Sequence, residues 1–253
     1  MSAAAPTRRI SVRRPISWLI LGWRDFIRLP VSALHGVAIM GVGQFIIALL
    51  ASYPLLAPGA FSGFVVVGPI LATGLYELSR RIALGQHPGM VDALHAWKRG
   101  ARPLLALGAL LLVLGSLWVG FSAVLVGTFA QAPITDLQGV LRAAIGSGTQ
   151  TLFLVWVVLG GSGAALVFAM SAVSPAMLLD RKVGLRGALL TSIKAVGDNP
   201  VPMAFWATII MVGTVFGMAT LMVGFVVVFP VLGHASWHAY RDLVDASALP
   251  PRE

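Results

Sequence analysis

Cysteine is absent from the 253-residue sequence, and charged residues are scarce. The lack of thiols excludes disulfides, cysteine-held iron–sulfur clusters, thiolate-bound haem and cysteine-based zinc sites. Charged residues make up 11% of the chain, whereas hydrophobic residues make up 58%, and the mean hydropathy is +0.89. A soluble domain cannot bury so large an apolar fraction, so the composition predicts an integral membrane protein.

Acidic residues are scarcer than basic ones, with 9 against 18, which gives a formal net charge of +9. A basic chain can bind nucleic acid, but that function needs a soluble basic face, which this composition does not provide. We therefore expect no nucleic-acid partner. The basic residues are instead predicted to orient the chain in the membrane.

We do not expect the start of the sequence to be a cleavable secretory signal. Arg8, Arg9, Arg13 and Arg14 precede a short apolar stretch, but the charged WRDFIR follows it in place of a small-residue cleavage site. We expect a retained basic tail, residues 1–15, on the cytoplasmic side.

Long apolar runs dominate the rest of the chain. Four of them begin near Val31, Phe61, Pro103 and Thr151, and a fifth fills residues 201–233. The fifth is too long for one span, and we expect it to reverse at the small-residue stretch in its middle, Gly213, Gly217, Met218 and Ala219. The sequence then predicts six spanning helices, each near the ~20 residues that a bilayer requires.

The basic residues favour one orientation of these spans. Lys and Arg accumulate in the short cytoplasmic loops of membrane proteins. Here 17 of the 18 basic residues fall in four segments, 1–30, 77–102, 180–200 and 234–253. Both termini are therefore predicted to be cytoplasmic, and the 128–150 segment, which contains Arg142, is predicted to be periplasmic.

An internal repeat links the second and the last predicted spans. The stretches GFVVVGPIL at 63–71 and GFVVVFPVL at 224–232 agree at seven of nine positions, with a constant offset of 161 residues. A proline-bearing helix that runs into a polar cytoplasmic end also recurs, at Pro69, Pro175 and Pro230. These similarities indicate a repeated structural unit.

Each predicted pair of spans follows a short amphipathic segment that ends in proline, at Pro30, Pro103 and Pro200. The sequence therefore predicts one all-α membrane domain, residues 16–253, built from three parallel repeats of an interfacial helix plus a two-helix hairpin. The repeat units are about 16–90, 91–183 and 184–245. Because every repeat enters from the cytoplasm, a pseudo-threefold axis is expected along the membrane normal.

Two pairs of small residues have the spacing that lets membrane helices approach closely. They are Gly160 with Ala164 and Gly213 with Gly217. The alternative is the ordinary glycine content of a chain with 28 glycines.

Several motifs are shared with a known group of proteins. They are GW-x-D at 22–25, PVSALHG at 30–36, GPILATGLYELSRR at 68–81, PAMLLDRKVG at 175–184 and GHASWHAYRDLV at 233–244. With these motifs the chain resembles an uncharacterised bacterial integral membrane family, a domain of unknown function, some of whose members are labelled cytochrome c oxidase subunit I. The resemblance implies a multi-pass protein of the bacterial inner membrane and supplies no established activity.

The positions of the histidines do not fit the oxidase label. The resemblance that this label suggests would imply histidines inside the spans that hold haem and copper. The five histidines here, His35, His87, His95, His234 and His238, all fall at or outside the predicted cytoplasmic boundary. We therefore expect no catalytic oxidase subunit, whereas an accessory role beside a respiratory complex stays open.

His234, His238 and Asp242 share one face of a predicted helix. Two imidazoles and a carboxylate are suitable ligands for zinc or another divalent ion, whereas haem would need His35 on its opposite side. The alternative is a hydrogen-bonded collar that these side chains form with Arg241 at the helix end, without a cofactor.

Arg80, Arg186 and Arg241 each lie eleven residues after a repeat proline. Their equivalent positions predict that they converge at the cytoplasmic mouth of the bundle. Three guanidinium groups there would hold an anion or a lipid headgroup. The alternative is the ordinary excess of basic residues at cytoplasmic helix ends.

Aromatic residues near the predicted cytoplasmic boundary are expected to anchor the protein among the lipid headgroups. Tryptophan and tyrosine favour this level because each combines an apolar ring with a polar group. The predicted anchors are Trp23, Tyr76, Trp97, Trp237 and Tyr240. Membrane lipids are therefore predicted partners.

Groups that carry chemistry are missing from the predicted spans. No Asp, Glu, Lys or Arg lies in the middle of a span, and no nucleophile with a base and an orienting group is recognisable. We expect neither an enzyme nor an ion-coupled pump. The leading interpretation is a non-catalytic accessory, assembly or scaffold component that docks a membrane protein partner. The alternatives are a small transporter or channel for a neutral or anionic solute, and haem or metal handling at the cytoplasmic face.

Overall fold

The computed structural model describes residues 4–99, 101–129, 136, 138–139 and 150–252, and within these residues the chain is helical and contains no strand. The prediction of an all-α chain is confirmed. The helices are α1 (Arg14–Arg28), α2 (Ala33–Leu50), α3 (Ala57–Leu71), α4 (Thr73–Ala83), α5 (Met90–Arg99), α6 (Ala101–Phe129), α7 (Gln150–Ser171), α8 (Ser174–Asp180), α9 (Leu185–Asp198), α10 (Pro200–Ala219) and α11 (Phe225–Leu243).

Four helical segments are long and apolar enough to cross a membrane. They are Pro30–Leu50, Arg102–Thr128, Thr151–Asp180 and Pro200–Ala219. They coincide with the first, third, fourth and fifth predicted spans, which confirms the membrane class of the chain. The second and sixth predicted spans also contain helices, but α3 ends at Leu71 after 15 residues, and the second half of α11 is polar.

The last apolar run reverses later than the sequence predicted. Helix α10 continues through the small-residue stretch to Ala219, and the turn follows at residues 220–224. Leu221 and Met222 adopt left-handed backbone conformations there, with φ of 52° and 72°. The prediction of a reversal at Gly213, Gly217, Met218 and Ala219 is therefore wrong, because the glycines create room for packing.

That packing joins α10 to α11. A Cβ atom on Gly217 would lie 2.7 Å from the Phe225 ring, and one on Gly213 would lie 3.0 Å from Val228. Close helix approach at small residues is the usual way in which membrane helices associate. The predicted role of this glycine pair in close packing is confirmed.

The three amphipathic segments are helical, as predicted, and form α1, α5 and α9. Helix α1 exposes the apolar side chains of Ile16, Ile20 and Ile27 on one face. A 3₁₀ turn begins at Pro30, directly after α1, and α10 begins at Pro200, directly after α9. Proline fits the first turn of a helix and cannot continue the preceding one, so it sets these boundaries.

The chain divides into two compact units. The first unit comprises residues 1–41, 69–108 and 168–253, and the second comprises residues 42–68 and 109–167. In the first unit, α11 is the central helix and contacts α1, α4, α8 and α10. Its core contains large buried side chains, of which Trp18 and Trp206 meet edge to face at 5.5 Å.

The second unit packs aromatic residues against small ones. A Cβ atom on Gly160 would lie 2.8 Å from the Trp118 ring, whose centroid is 5.8 Å from that of Trp156. The Trp156 indole N–H donates a hydrogen bond to the buried Ser122 hydroxyl at 2.7 Å. This hydrogen bond joins α6 to α7 inside the unit.

Candidate functional site

A buried chain of hydrogen bonds joins α1, α4 and α11 in the first unit. The Ser79 hydroxyl lies 2.7 Å from Oδ2 of Asp25 and 2.7 Å from Nδ1 of His234. His238 reaches the same Asp25 oxygen through Nε2 at 2.9 Å. We call these four residues the Asp25 cluster.

Small residues bring the three helices close enough to form this cluster. A Cβ atom on Gly22 would lie 2.5 Å from the Val231 carbonyl oxygen and 2.7 Å from the Ala235 nitrogen, so α1 packs directly on the backbone of α11. On the other side of α11, a Cβ atom on Gly233 would lie 2.4 Å from the Leu75 side chain of α4. The polar side chains of the Asp25 cluster lie close to these contacts in the sequence and therefore meet.

The charge of Asp25 determines the direction of the hydrogen bonds. Burial raises the pKa of its carboxyl group, but the hydrogen bonds from His238 and Ser79 outweigh burial and hold the pKa below its ordinary value. Asp25 is therefore ionised at neutral pH and accepts the Ser79 proton. The Ser79 oxygen is then left to accept the Nδ1 proton of His234, which specifies the tautomer of that histidine.

The Asp25 cluster is placed to fasten helices. Ser79 and His234 are fully buried, so a substrate has no direct access to the serine oxygen. An ionised carboxylate with charge-assisted hydrogen bonds is a strong link between elements when it is buried. The arrangement favours a structural link of α1 to α4 and α11.

Three further groups that each contain an ion pair are found among the described residues of the first unit. Buried Glu77 receives hydrogen bonds from Arg80 at 2.7 Å and from Arg81 at 2.7 Å. The Asp242 carboxylate accepts hydrogen bonds from Nη2 of Arg14 at 3.0 Å and from the indole N–H of Trp18 at 2.6 Å. The third group joins Asp180 to the Tyr240 hydroxyl at 2.8 Å and to Arg181 at 2.9 Å.

The predicted metal ligands His234, His238 and Asp242 have different partners. His234 forms a hydrogen bond with Ser79, His238 forms one with Asp25, and Asp242 forms an ion pair with Arg14. Within the ranges that the structure describes, no group of three or more His, Asp or Glu side chains is placed to hold a metal ion. The hydrogen-bonded alternative fits the two histidines and Asp242, with Asp25 and Ser79 as the partners that the sequence did not indicate.

Three of the five predicted lipid anchors are core residues. Tyr76, Trp237 and Tyr240 expose 3%, 1% and 0% of their surface, so they cannot reach lipid headgroups. The prediction is wrong for them because they lie on the sides of α4 and α11 that face other helices of the first unit. Trp23 is 47% exposed and fits the prediction, whereas the side chain of Trp97 lies outside the described residues.

The predicted arginine trio has separate environments. Arg80 is held by Glu77, and Arg186 is exposed on α9. Arg241 lines a small polar crevice together with Arg8 and Arg181, which the sequence did not indicate. The N-terminal arm pairs with the end of α11, which brings Arg8 to Arg241, and the segment after α8 pairs with the C-terminal segment, which places Arg181 beside them.

An apolar groove of about 720 Å³ lies between α1, α10 and α11. Its lining includes Leu19 and Trp23 of α1, Val212 and Gly213 of α10, and Val227 and Val231 of α11. The hydroxyl of Thr208, which also lines the groove, donates to the Ala204 carbonyl at 2.9 Å. An apolar occupant of the groove can therefore contact Thr208 closely without removing its hydroxyl proton from a hydrogen-bond acceptor.

Comparison with known families identifies the group to which this chain is related. Residues 55–180 match the model of a family described as "Predicted integral membrane protein (DUF2189)". The chain is therefore similar to this family over just under half of its length. No match was found among curated proteins or among solved structures.

The DUF2189 match covers α3 to α8 and part of the candidate site. It includes Ser79 of the Asp25 cluster and the buried Glu77, whereas Asp25, His234 and His238 lie outside it. The motif GPILATGLYELSRR at 68–81 is within the matched region, which confirms the resemblance stated from the sequence. The DUF2189 family is of unknown function, so function has to be argued from the geometry.

Proposed function

We propose that this protein is a non-catalytic accessory, assembly or scaffold component of a larger complex in the bacterial inner membrane. The observation that carries the proposal is the apolar groove between α1, α10 and α11. Its occupant is a spanning helix of a partner protein. The groove and the buried Asp25 cluster share α1 and α11, so the cluster holds two walls of the docking surface in place.

The chemistry of the groove supports a helix as its occupant. In a bilayer, lipid tails are as apolar as leucine, so helices associate through close packing rather than through the hydrophobic effect. Gly213 and the β-branched side chains of Val212, Val227 and Val231 form a low and rigid surface suited to such packing. A spanning helix satisfies its own backbone hydrogen bonds, so it needs no polar group from the groove.

The proposed topology has six spans in three repeats, with both termini in the cytoplasm. Four candidate spans and the distribution of 17 of 18 basic residues support it, and α3 with α4 and α11 supply the other two spans. Cysteine labelling tests it cleanly because the chain has no cysteine. In intact spheroplasts, Asp136→Cys is expected to react with a membrane-impermeant maleimide and Ser247→Cys only after lysis. The reverse pattern would contradict this orientation.

Filling the groove is expected to release the partner. Val212 is 60% exposed and lines the groove, whereas Val215 is 59% exposed on the same helix and does not line it. Val212→Trp should lower the amount of co-purified partner per chain about fivefold or more, a loss of about 1 kcal/mol in binding. Val215→Trp should leave it unchanged. The measurement is quantitative mass spectrometry of the tagged protein extracted from its native membrane in mild detergent.

Two results of this comparison would count against the docking proposal. One is a wild-type chain that purifies with lipid alone. The other is an equal loss of partner in Val212→Trp and Val215→Trp, which would indicate that the partner binds elsewhere.

A further inference from the structure

A small polar crevice of about 180 Å³ lies beyond the ends of α8 and α11. Four separate stretches of the chain line it. The first is the N-terminal arm with Arg8, and the second is Arg181, which directly follows α8. The third is the last turns of α11 with Tyr240 and Arg241, and the fourth is residues 244–247. Three arginines therefore line one small volume.

Backbone hydrogen bonds hold the crevice open in a defined shape. They join the Arg8 nitrogen to the Leu243 oxygen at 2.8 Å, the Asp245 nitrogen to the Pro6 oxygen at 2.9 Å, and the Lys182 nitrogen to the Pro250 oxygen at 2.9 Å. A site whose walls are fixed before binding loses little entropy when a ligand enters. The N-terminal arm and the C-terminal segment are thus parts of the site.

Two of the three arginines in the crevice form ion pairs. Arg8 pairs with Asp245 at 3.2 Å, and Arg181 pairs with Asp180 at 2.9 Å. The hydrogen bonds from Ser247 and the nearby Arg8 lower the pKa of Asp245, so its carboxylate is ionised at neutral pH. Arg241 has no ion-pair partner among the residues that the structure describes. The crevice therefore carries a net positive charge.

We infer that this crevice binds a phosphate group, with Arg241 as its principal ligand and Arg8 and Arg181 beside it. A guanidinium group has five N–H donors in a planar fork that matches phosphate oxygens, so the paired arginines keep donors available for a ligand. A free phosphate and a phospholipid headgroup present the same group. The crevice is separate from the apolar groove, so its occupancy does not depend on the docking proposal.

The test uses the full chain in a maltoside detergent, which carries no phosphate group, with the thermal unfolding midpoint as the readout. In one arm, sodium phosphate is titrated against sodium chloride at equal ionic strength. In the other arm, anionic phosphatidylglycerol is added to the detergent without inorganic phosphate. A rise in the first arm identifies a soluble phosphate ligand, and a rise in the second arm alone identifies a lipid headgroup.

The variants decide whether either rise comes from the crevice. Arg241→Gln is expected to lower the apparent affinity for the ligand, obtained from the rise of the midpoint with ligand concentration, about tenfold or more. The reason is that the substitution removes a charged bidentate donor. Arg186→Gln removes an exposed arginine outside the crevice and should behave like the wild type. Equal midpoints of the ligand-free proteins show that both variants fold. No rise for the wild type in either arm, or equal rises for the wild type and Arg241→Gln, would overturn the inference.

Discussion

The Gly22→Ala variant is expected to lose about 3 kcal/mol or more of folding free energy, at the upper end of what overpacking costs. The added methyl group would meet the Val231 oxygen at 2.5 Å and the Ala235 nitrogen at 2.7 Å. Both are backbone atoms of α11, so no side-chain rotation relieves the clash and α1 has to move away. The midpoint of thermal unfolding in detergent, followed by tryptophan fluorescence, measures the effect.

Gly197→Ala is the matched control for this prediction. Gly197 lies on α9, another of the three amphipathic helices, and an added Cβ there meets nothing within 4 Å. Alanine should stabilise that helix by about 0.5–1 kcal/mol, because it restricts the unfolded chain and favours helix. A Gly22→Ala protein as stable as Gly197→Ala would contradict the close contact of α1 with α11.

The Asp25→Ala variant is expected to lose about 3 kcal/mol of folding free energy, because it removes a buried ionised acceptor and leaves its donors without a partner. Ser79 loses the acceptor of its proton, and His238 loses its partner at 2.9 Å. Asp25→Asn keeps an oxygen in the same place but removes the charge, so its loss should be intermediate. Chemical unfolding monitored by circular dichroism in detergent compares the variants.

Asp92→Asn is the control for the removal of a carboxylate charge from an amphipathic helix. Asp92 pairs with Arg81 at 3.0 Å, and both side chains are 28% exposed. A partly exposed pair contributes about 0–1 kcal/mol, so this variant should be close to the wild type. If Asp25→Ala is no less stable than Asp92→Asn, the Asp25 cluster does not fasten α1 to α4 and α11.

Local pattern was sufficient to predict the helices that begin or end at strong signals. The amphipathic segments became α1, α5 and α9, and Pro30 and Pro200 mark the starts of the next elements. These features depend on residues within one or two helical turns of each other. The reversal near Ala219 was misplaced because glycine signals a turn and a close contact equally well, and only the partner Phe225 distinguishes them.

The contacts of the candidate site depend on residues far apart in the chain. Ser79 meets Asp25 across 54 residues and His234 across 155 residues. No local pattern specifies such a pairing. The shared helix face of His234 and His238 was visible in the sequence, but their partners lie on α1 and α4, so a metal site and a hydrogen-bonded cluster could not be distinguished.

Burial of the aromatic residues was unpredictable for a related reason. Tyr76, Trp237 and Tyr240 lie where polar and apolar residues alternate, which is typical of the membrane boundary. In this fold, the polar residues of that alternating pattern include members of the buried Asp25 cluster. Other helices of the first unit pack on several sides of α11 there. An aromatic residue beside such a cluster is buried rather than presented to lipid.

Photo-crosslinking in the native membrane tests the docking role of the groove most directly. A photoreactive amino acid is placed at Val212 or Val227, which line the groove, and at Val215 as the matched exposed position outside it. The account predicts one protein adduct of the same mass from both groove positions and none from Val215. Lipid adducts alone at the groove positions, or equal protein labelling at all three positions, would contradict a partner helix in the groove.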